Sequence, residues 1–283
     1  MGRKLKVTAL NIKMQPTECE RDYLELFKMV HRGKFISKIW GENYGMIGSC
    51  SEDNGLIYGN IYKFFSVDPQ ADWLNSLEVK AVDGLPVPDH LKPNLRCIPY
   101  VFSIENHRFF WPQIKHSPSP PTMQKLFQGL FLSEGIEEKF QTIDVEIETD
   151  KEKLGEILTS FKAYRKLEIV FTIPNGDTLE DAEEAFTKRL KEQQIERLHE
   201  VYGSRRGVKP DIDTQASMSL ATKSDGKVLA DGIKDDGSIE HVESTSHPRI
   251  FKLDYDPYSD GVTEILLKHV SKLASMLAGK KGE

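Results

Sequence analysis

What most constrains the fold of this chain is a run of short segments in which apolar and polar residues alternate with period two, each closed by a turn signal. Residues 5–13 set Val7, Ala9, Leu10 and Ile12 among Lys6, Thr8, Asn11 and Lys13. Lys34–Trp40, Tyr44–Cys50 and Leu56–Phe65 follow, separated by Gly41, Gly45 and Asn54-Gly55. Arg96–Ile104 and His107–Ile114 then form a hairpin across Glu105-Asn106 that carries Tyr100, Phe102, Phe109 and Trp111. Side chains along a strand point alternately to opposite faces, so such segments build antiparallel sheet with at least one packed face. In Leu56–Phe65 the face with Tyr58 and Tyr62 reads as core in preference to ligand-facing. The one helical pattern in this half is Cys19–His31, with Tyr23, Leu26, Phe27 and Val30 on one side and Gly33 as its stop.

Between these strands, Asp68–Asn94 is rich in Pro and Asp and reads as loops with a short helix near Asp72–Leu77. His116–Thr122 (HSPSPPT) is the sharpest punctuation and marks the expected domain junction. Beyond it, Thr122 is expected to cap a helix reaching Leu132, Ile143–Glu148 a strand, Asp150 a cap for Lys151–Leu158, and Arg165–Ile173 a second strand. Asp177 or Thr178 is expected to cap the longest helix, which runs to Tyr202 through an apolar stripe including Phe186, Leu190, Ile195, Leu198 and Tyr202. GSRRGVKP (203–210) reads as a Gly-rich loop. Asp225-Gly226 and Asp236-Gly237 divide Gln215–Thr222, Lys227–Lys234 and Ser238–Ser244 into a meander, and Val262–Leu277 closes as an amphipathic helix. The expected fold class is therefore α+β, mainly antiparallel sheets with packed helices, in two intimately associated subdomains: residues 1–115, β-rich, and residues 122–283.

At 283 residues, with 39% hydrophobic and 29% charged residues, the chain can bury a sizeable core. No apolar run approaches the roughly 18 residues that span a bilayer, so no membrane insertion is expected. The alternating N-terminus reads as a strand and not as a signal peptide. The three cysteines, Cys19, Cys50 and Cys97, are odd in number and form no CxxC pair. They read as free thiols of a cytoplasmic protein.

Chemistry is sparse. The chain contains no phosphate-binding glycine loop, HExxH, GxSxG or EF-hand pattern, and no cofactor or metal site is expected. The eight histidines, among them His107, His116, His241 and His247, show no metal-ligand spacing. The nearest catalytic pattern is Glu78-Val79-Lys80 with Asp68 or Asp72 upstream. In a metal-dependent nuclease the carboxylates would hold Mg²⁺ and the lysine would stabilise phosphate charge. Asp254 and Asp256 offer a cation pair or a Pro-terminated turn. The net charge of −6 argues against a uniformly basic nucleic-acid binder. Yet Lys188–Lys209 holds seven basic residues (Lys188, Arg189, Lys191, Arg197, Arg205, Arg206 and Lys209) against three acidic ones. Arg165 and Lys166, with Arg3, Lys4 and Lys6, could extend such a phosphate-gripping surface.

Four strings, RKLKVTALNIKM (3–14), GLIYGNIYKFFSVDP (55–69), RKLEIVFTIPNGD (165–177) and SLATKSDGKVLADG (219–232), together resemble a bacterial family of unknown function associated with phage-defence islands. More remotely, the second half is similar to the phage-exclusion protein RexA and to KwaB of Kiwa defence systems. The resemblance implies a dimeric, largely sequence-independent DNA binder that answers infection without being an enzyme. The expectation is thus a non-catalytic antiphage defence protein that binds nucleic acid, DNA foremost, as a homodimer. The alternatives are a metal-dependent nuclease and an inhibitor or adaptor with an operon-encoded protein partner.

Overall fold

The computed structural model describes residues 3–15, 22–68, 71–84, 88–140, 142–172, 181–195, 197–223, 226–256 and 258–277. The fold is α+β, with antiparallel sheets packed against helices. It divides into two compact units, residues 1–146 with 251–283, and residues 147–250.

The first unit opens with β1 (Arg3–Gln15), α1 (Tyr23–Arg32), β2 (Ser37–Trp40), β3 (Asn43–Asp53) and β4 (Leu56–Phe65). A small hairpin, β5 (Asp72–Asn75) and β6 (Lys80–Asp83), precedes β7 (Arg96–Ser103) and β8 (Arg108–Pro112). Then come α2 (Pro120–Phe131), α3 (Ile136–Phe140) and β9 (Thr142–Ile147). After the second unit the chain returns as β14 (Phe251–Tyr255) and α7 (Val262–Leu277). The main sheet has the order β14-β1-β8-β7-β4-β3-β2, and β9 also pairs with β1.

Its central strands are apolar on both faces because both are covered. Leu10, Phe109 and Phe102 lie in register on one face, and Ala9, Phe110 and Val101 on the other. The first face meets α1 and α2 through an aromatic cluster. Phe109 lies within it, with ring centroids 4.5 Å from Phe127, 5.0 Å from Tyr100 and 5.8 Å from Trp111, and Phe27 of α1 touches it at 6.4 Å. The second face packs with Phe251, Leu253 and the α7 residues Ile265, Leu266, Val270 and Leu273. On β4, Ile57 and Ile61 are fully buried and Tyr58 and Tyr62 half-buried. Tyr58 packs against this second core, and the Tyr62 ring lies over Gly48.

The second unit holds α4 (Lys151–Thr159), β10 (Ala163–Thr172), α5 (Asp181–Glu192), β11 (Arg197–Val208), α6 (Ile212–Lys223), β12 (Lys227–Ile233) and β13 (Ile239–Glu243). Its sheet order is β11-β10-β12-β13, antiparallel throughout. Leu167, Ile169, Phe171, Val228 and Ala230 pack with Leu154, Leu158, Phe186, Leu190, Met218 and Leu220 of the three helices. The two ends of the unit are tied together. Thr149 bridges Pro248, and the Arg249 guanidinium meets Asp150 at 3.1 Å. The Arg249 and Asp150 amides also donate to the Glu148 and His247 carbonyls, at 2.7 and 2.8 Å.

Several expectations are corrected. Residues 72–77 are not helical: β5 and β6 form a hairpin with its turn at 76–79. The long helix from 177 stops at Glu192, where Gln194 adopts φ +57, and the chain resumes as β11. Leu198 and Tyr202 are four residues apart, a spacing that lies on one side of a helix and equally on one face of a strand. Asp177 and Thr178 lie outside the described residues. Residues 203–208 belong to that strand, not to a loop. Gln215–Thr222 is α6, so the meander shrinks to β12 and β13. Residues buried around most of α6, many of them small (Thr214, Ala216, Ser217, Ala221 and Thr222, with Leu220), leave it no amphipathic period. The cap is visible in hindsight, since the Asp211 carboxylate accepts from the Thr214 amide at 2.9 Å.

Helix α2 starts at Pro120 behind Ser119, whose hydroxyl meets that of Thr122 at 2.7 Å. The two units meet in the chain at 146/147 and 250/251, and residues 116–122, the junction expected from the sequence, lie inside the first unit. That stretch leads directly into α2, whose Leu126, Phe127 and Leu130 are buried in the first unit's own core.

Truncation of Phe109 would open a void at the centre of the aromatic cluster. Phe109→Ala is expected to lower the unfolding free energy by about 3–5 kcal/mol, read as a shifted urea midpoint with an unchanged slope.

Candidate nucleic-acid interface

The local geometry that matters begins with a mismatch in the β10–β11 ladder. Tyr164 pairs with Val208 and Lys166 with Gly203, so Arg165 stands opposite a bulge made of Ser204, Arg205, Arg206 and Gly207. Bulges occur at sheet edges and re-aim side chains, and β11 is the edge strand of its sheet. Gly207 sustains the turn with φ +94, and a Cβ there would come within 2.8 Å of the Ala163 Cβ. The Arg206 amide donates to the Ser204 hydroxyl at 3.2 Å, which closes the bulge from within.

This arrangement brings Arg165, Arg205 and Arg206 to one place, all exposed, with exposed Lys209 two residues beyond Gly207. Lys162, also exposed, sits at the entry to β10 and donates its amide to the Ile233 carbonyl. Among the described residues, none of these five cations forms an ion pair. Guanidinium groups stay charged at all physiological pH and present a planar fork that fits phosphate oxygens.

The other basic residues are placed differently. Lys188, Arg189 and Lys191 are exposed on α5. Arg189 meets Asp213 at 2.6 Å and lies 4.8 Å from the Phe186 ring centroid, so its charge is engaged. Lys166 pairs with Glu168 at 3.4 Å, and Glu168 also meets the His199 ring at 3.3 Å. The Lys166 bond, with help from His199, holds the Glu168 carboxyl below its ordinary value. Arg197 opens β11, and its side chain lies outside the described residues. Arg3, Lys4 and Lys6 belong to the first unit, where Lys4 pairs with Asp254 at 2.6 Å.

The acidic candidates do not converge. Asp72 pairs with Asp83 at the open end of the β5–β6 hairpin, and Lys80 with Asn75 at the closed end. Glu78 lies in the turn, exposed, beside Val79 at φ +53. Three strand residues separate Asp72 from that turn, roughly 10 Å at 3.3 Å each, whereas ligands of one Mg²⁺ lie about 2 Å from it. Asp68 accepts the Ala71 amide through its main-chain carbonyl at 3.2 Å. Asp254 is engaged by Lys4, and Asp256 accepts from the Tyr258 amide at 3.0 Å, a local turn.

Among the described residues no group of three or more His, Cys, Asp or Glu could hold a metal ion. The His107 ring packs tilted against Tyr23 at 4.9 Å, and His241 pairs with Asp231 at 2.7 Å across β12 and β13. Cys50 and Cys97 are free thiols, with burial pushing the Cys50 thiol upward. Cys19 lies outside the described residues. No described helix is long and apolar enough to cross a membrane.

Sequence reading singled out the arginines by charge alone and missed the bulge that groups them. The available signal was Gly207 following two arginines at the end of an alternating segment. Because that glycine holds a left-handed backbone, Gly207→Ala is expected to destabilise the second unit by about 1–3 kcal/mol, measured by thermal or urea unfolding.

No curated protein matches the chain. A family profile does, over residues 3–271, and the chain belongs to that family, described as Domain of unknown function (DUF4747).

Proposed function

We propose that this protein is a non-catalytic nucleic-acid binder that grips the phosphate backbone of DNA through Arg165, Arg205, Arg206 and Lys209. The observation that carries the reading is the gathering, at one bulge of an edge strand, of three arginines that form no ion pair among the described residues, in a chain of net charge −6. Distant acidic residues do not cancel that field, because at physiological salt the screening length is about 8 Å. Contacts to phosphate fix position and carry no base information, so binding by these side chains is independent of sequence.

The resemblance to RexA and KwaB adds a cellular setting and an assembly state. In that reading the protein acts in the cytoplasm in antiphage defence, as a homodimer. A second copy would multiply phosphate contacts and raise avidity without any new chemistry.

Fluorescence anisotropy with duplex and single-stranded oligonucleotides over a salt series tests the proposal. The logarithm of affinity should fall linearly with the logarithm of salt concentration. Arg205→Ala with Arg206→Ala should weaken binding equally across unrelated sequences and lower the salt slope by about 2, near one for each phosphate contact removed. Absence of binding at the lowest salt, or wild-type affinity in the double variant, would overturn it.

A further inference from the structure

A cleft of about 350 Å³ opens in the second unit between α4, α6 and the start of β10. Leu158, Phe161, Tyr164, Pro210 and Met218 form its apolar walls, and Gly155, Thr159, Gln215, Ser219 and Thr222 complete the lining. We propose that this cleft is a binding site for a small uncharged aromatic molecule that carries an N–H donor.

Three observations lead there. First, the volume falls in the range of small-molecule sites, about 300–1,000 Å³, and such sites are mostly apolar with a few placed polar groups. Second, Gly155 lies inside α4, where glycine weakens a helix relative to alanine. A Cβ built there meets nothing within 4 Å. The protein's own packing therefore does not demand glycine, whereas a ligand in the cleft would use the space.

Third, the polar groups of the wall define what fits. The Tyr164 hydroxyl donates to the Leu158 carbonyl at 2.6 Å, and the Thr159 hydroxyl to Gly155 at 2.9 Å. The Thr222 hydroxyl donates to Met218 at 2.9 Å, and the Gln215 amide nitrogen to Pro210 at 3.0 Å. The three hydroxyl hydrogens and one of the two Gln215 amide hydrogens are thus committed to backbone carbonyls, and each side-chain oxygen keeps acceptor capacity, so acceptors predominate on the wall. Among the described residues the lining contains no ionisable group except the phenol, so neither phosphate, carboxylate nor ammonium would find a counter-charge there. An aromatic body with a donor edge satisfies both the walls and the acceptors.

Ligand-observed NMR titration of the full chain with indole, benzothiophene and indole-3-carboxylate tests this. Indole should bind saturably. Benzothiophene, which lacks the N–H, should bind up to about tenfold more weakly, the scale of one neutral hydrogen bond. The carboxylate should not saturate. Gly155→Ala should weaken indole binding and raise the melting temperature, and Gly155→Leu should abolish binding. The Arg205→Ala, Arg206→Ala double variant should bind indole unchanged, which keeps this site separable from the arginine bulge. No saturable binding of indole to the wild-type chain, wild-type indole affinity in Gly155→Ala, or equal binding of the carboxylate would overturn the proposal.

Discussion

Everything in the first unit depends on β1 being buried on both faces and paired along its length. Its residues Val7, Ala9, Leu10 and Ile12 are wholly inaccessible to solvent. Such a strand can satisfy its backbone groups only through neighbouring strands, and β8, β14 and β9 supply them. Two of those partners, β9 and β14, stand on either side of residues 147–250 in the chain. The excursion that forms the second unit thus leaves from, and returns to, the same strand. The Arg249–Asp150 pair and the Thr149–Pro248 bridge hold its two ends together. Removing a residue from β1 would therefore disturb both covered faces of the first unit's sheet.

The second unit solves a simpler packing problem. Its helices cover one face of a four-stranded sheet, and on the opposite face Lys166 pairs with Glu168 along β10, while His199 meets Glu168 and His241 meets Asp231 across neighbouring strands. Exposed pairs of this kind add little stability, about 0–1 kcal/mol each, but they neutralise the charges they involve. The bulge contrasts with this face: Lys166 has a partner there, while among the described residues Arg165, Arg205, Arg206 and Lys209 form no ion pair. An edge strand also carries backbone groups without a neighbour, and a bulge there blunts pairing with other strands. One irregularity thus accounts for both the grouping of charge and the protection of the edge.

The sequence was most legible where periodicity and capping agree. The strands expected at Leu56–Phe65 and Arg165–Ile173, the Asp150 cap and the helix Val262–Leu277 fall within a residue or two of their expected bounds over the described residues. It misled where two periods coincide. Leu190, Ile195, Leu198 and Tyr202 satisfy a helical stripe, yet the last two lie on a strand. In α6 the alternation of Ala216, Met218, Leu220 and Thr222 imitates a strand, because a helix of small residues buried on most sides shows no polar face. The hairpin at 72–83 was hidden by its turn-forming residues. Of the basic residues, their surplus was readable and their partners were not: Arg189 is engaged by Asp213, distant in the chain.

By itself, then, the sequence determined an α+β chain of antiparallel strands, the positions of most strands, and a local excess of positive charge after residue 188. These are local properties, set by alternation, capping and composition over a few neighbouring residues. Tertiary structure alone decided that residues 147–250 form an inserted unit, that Arg165 faces Arg205 and Arg206 across a bulge, and that a cleft opens beside Gly155. Each depends on which distant segments pair and in what register. A shift of one residue in that pairing would turn the same side chains to the other face.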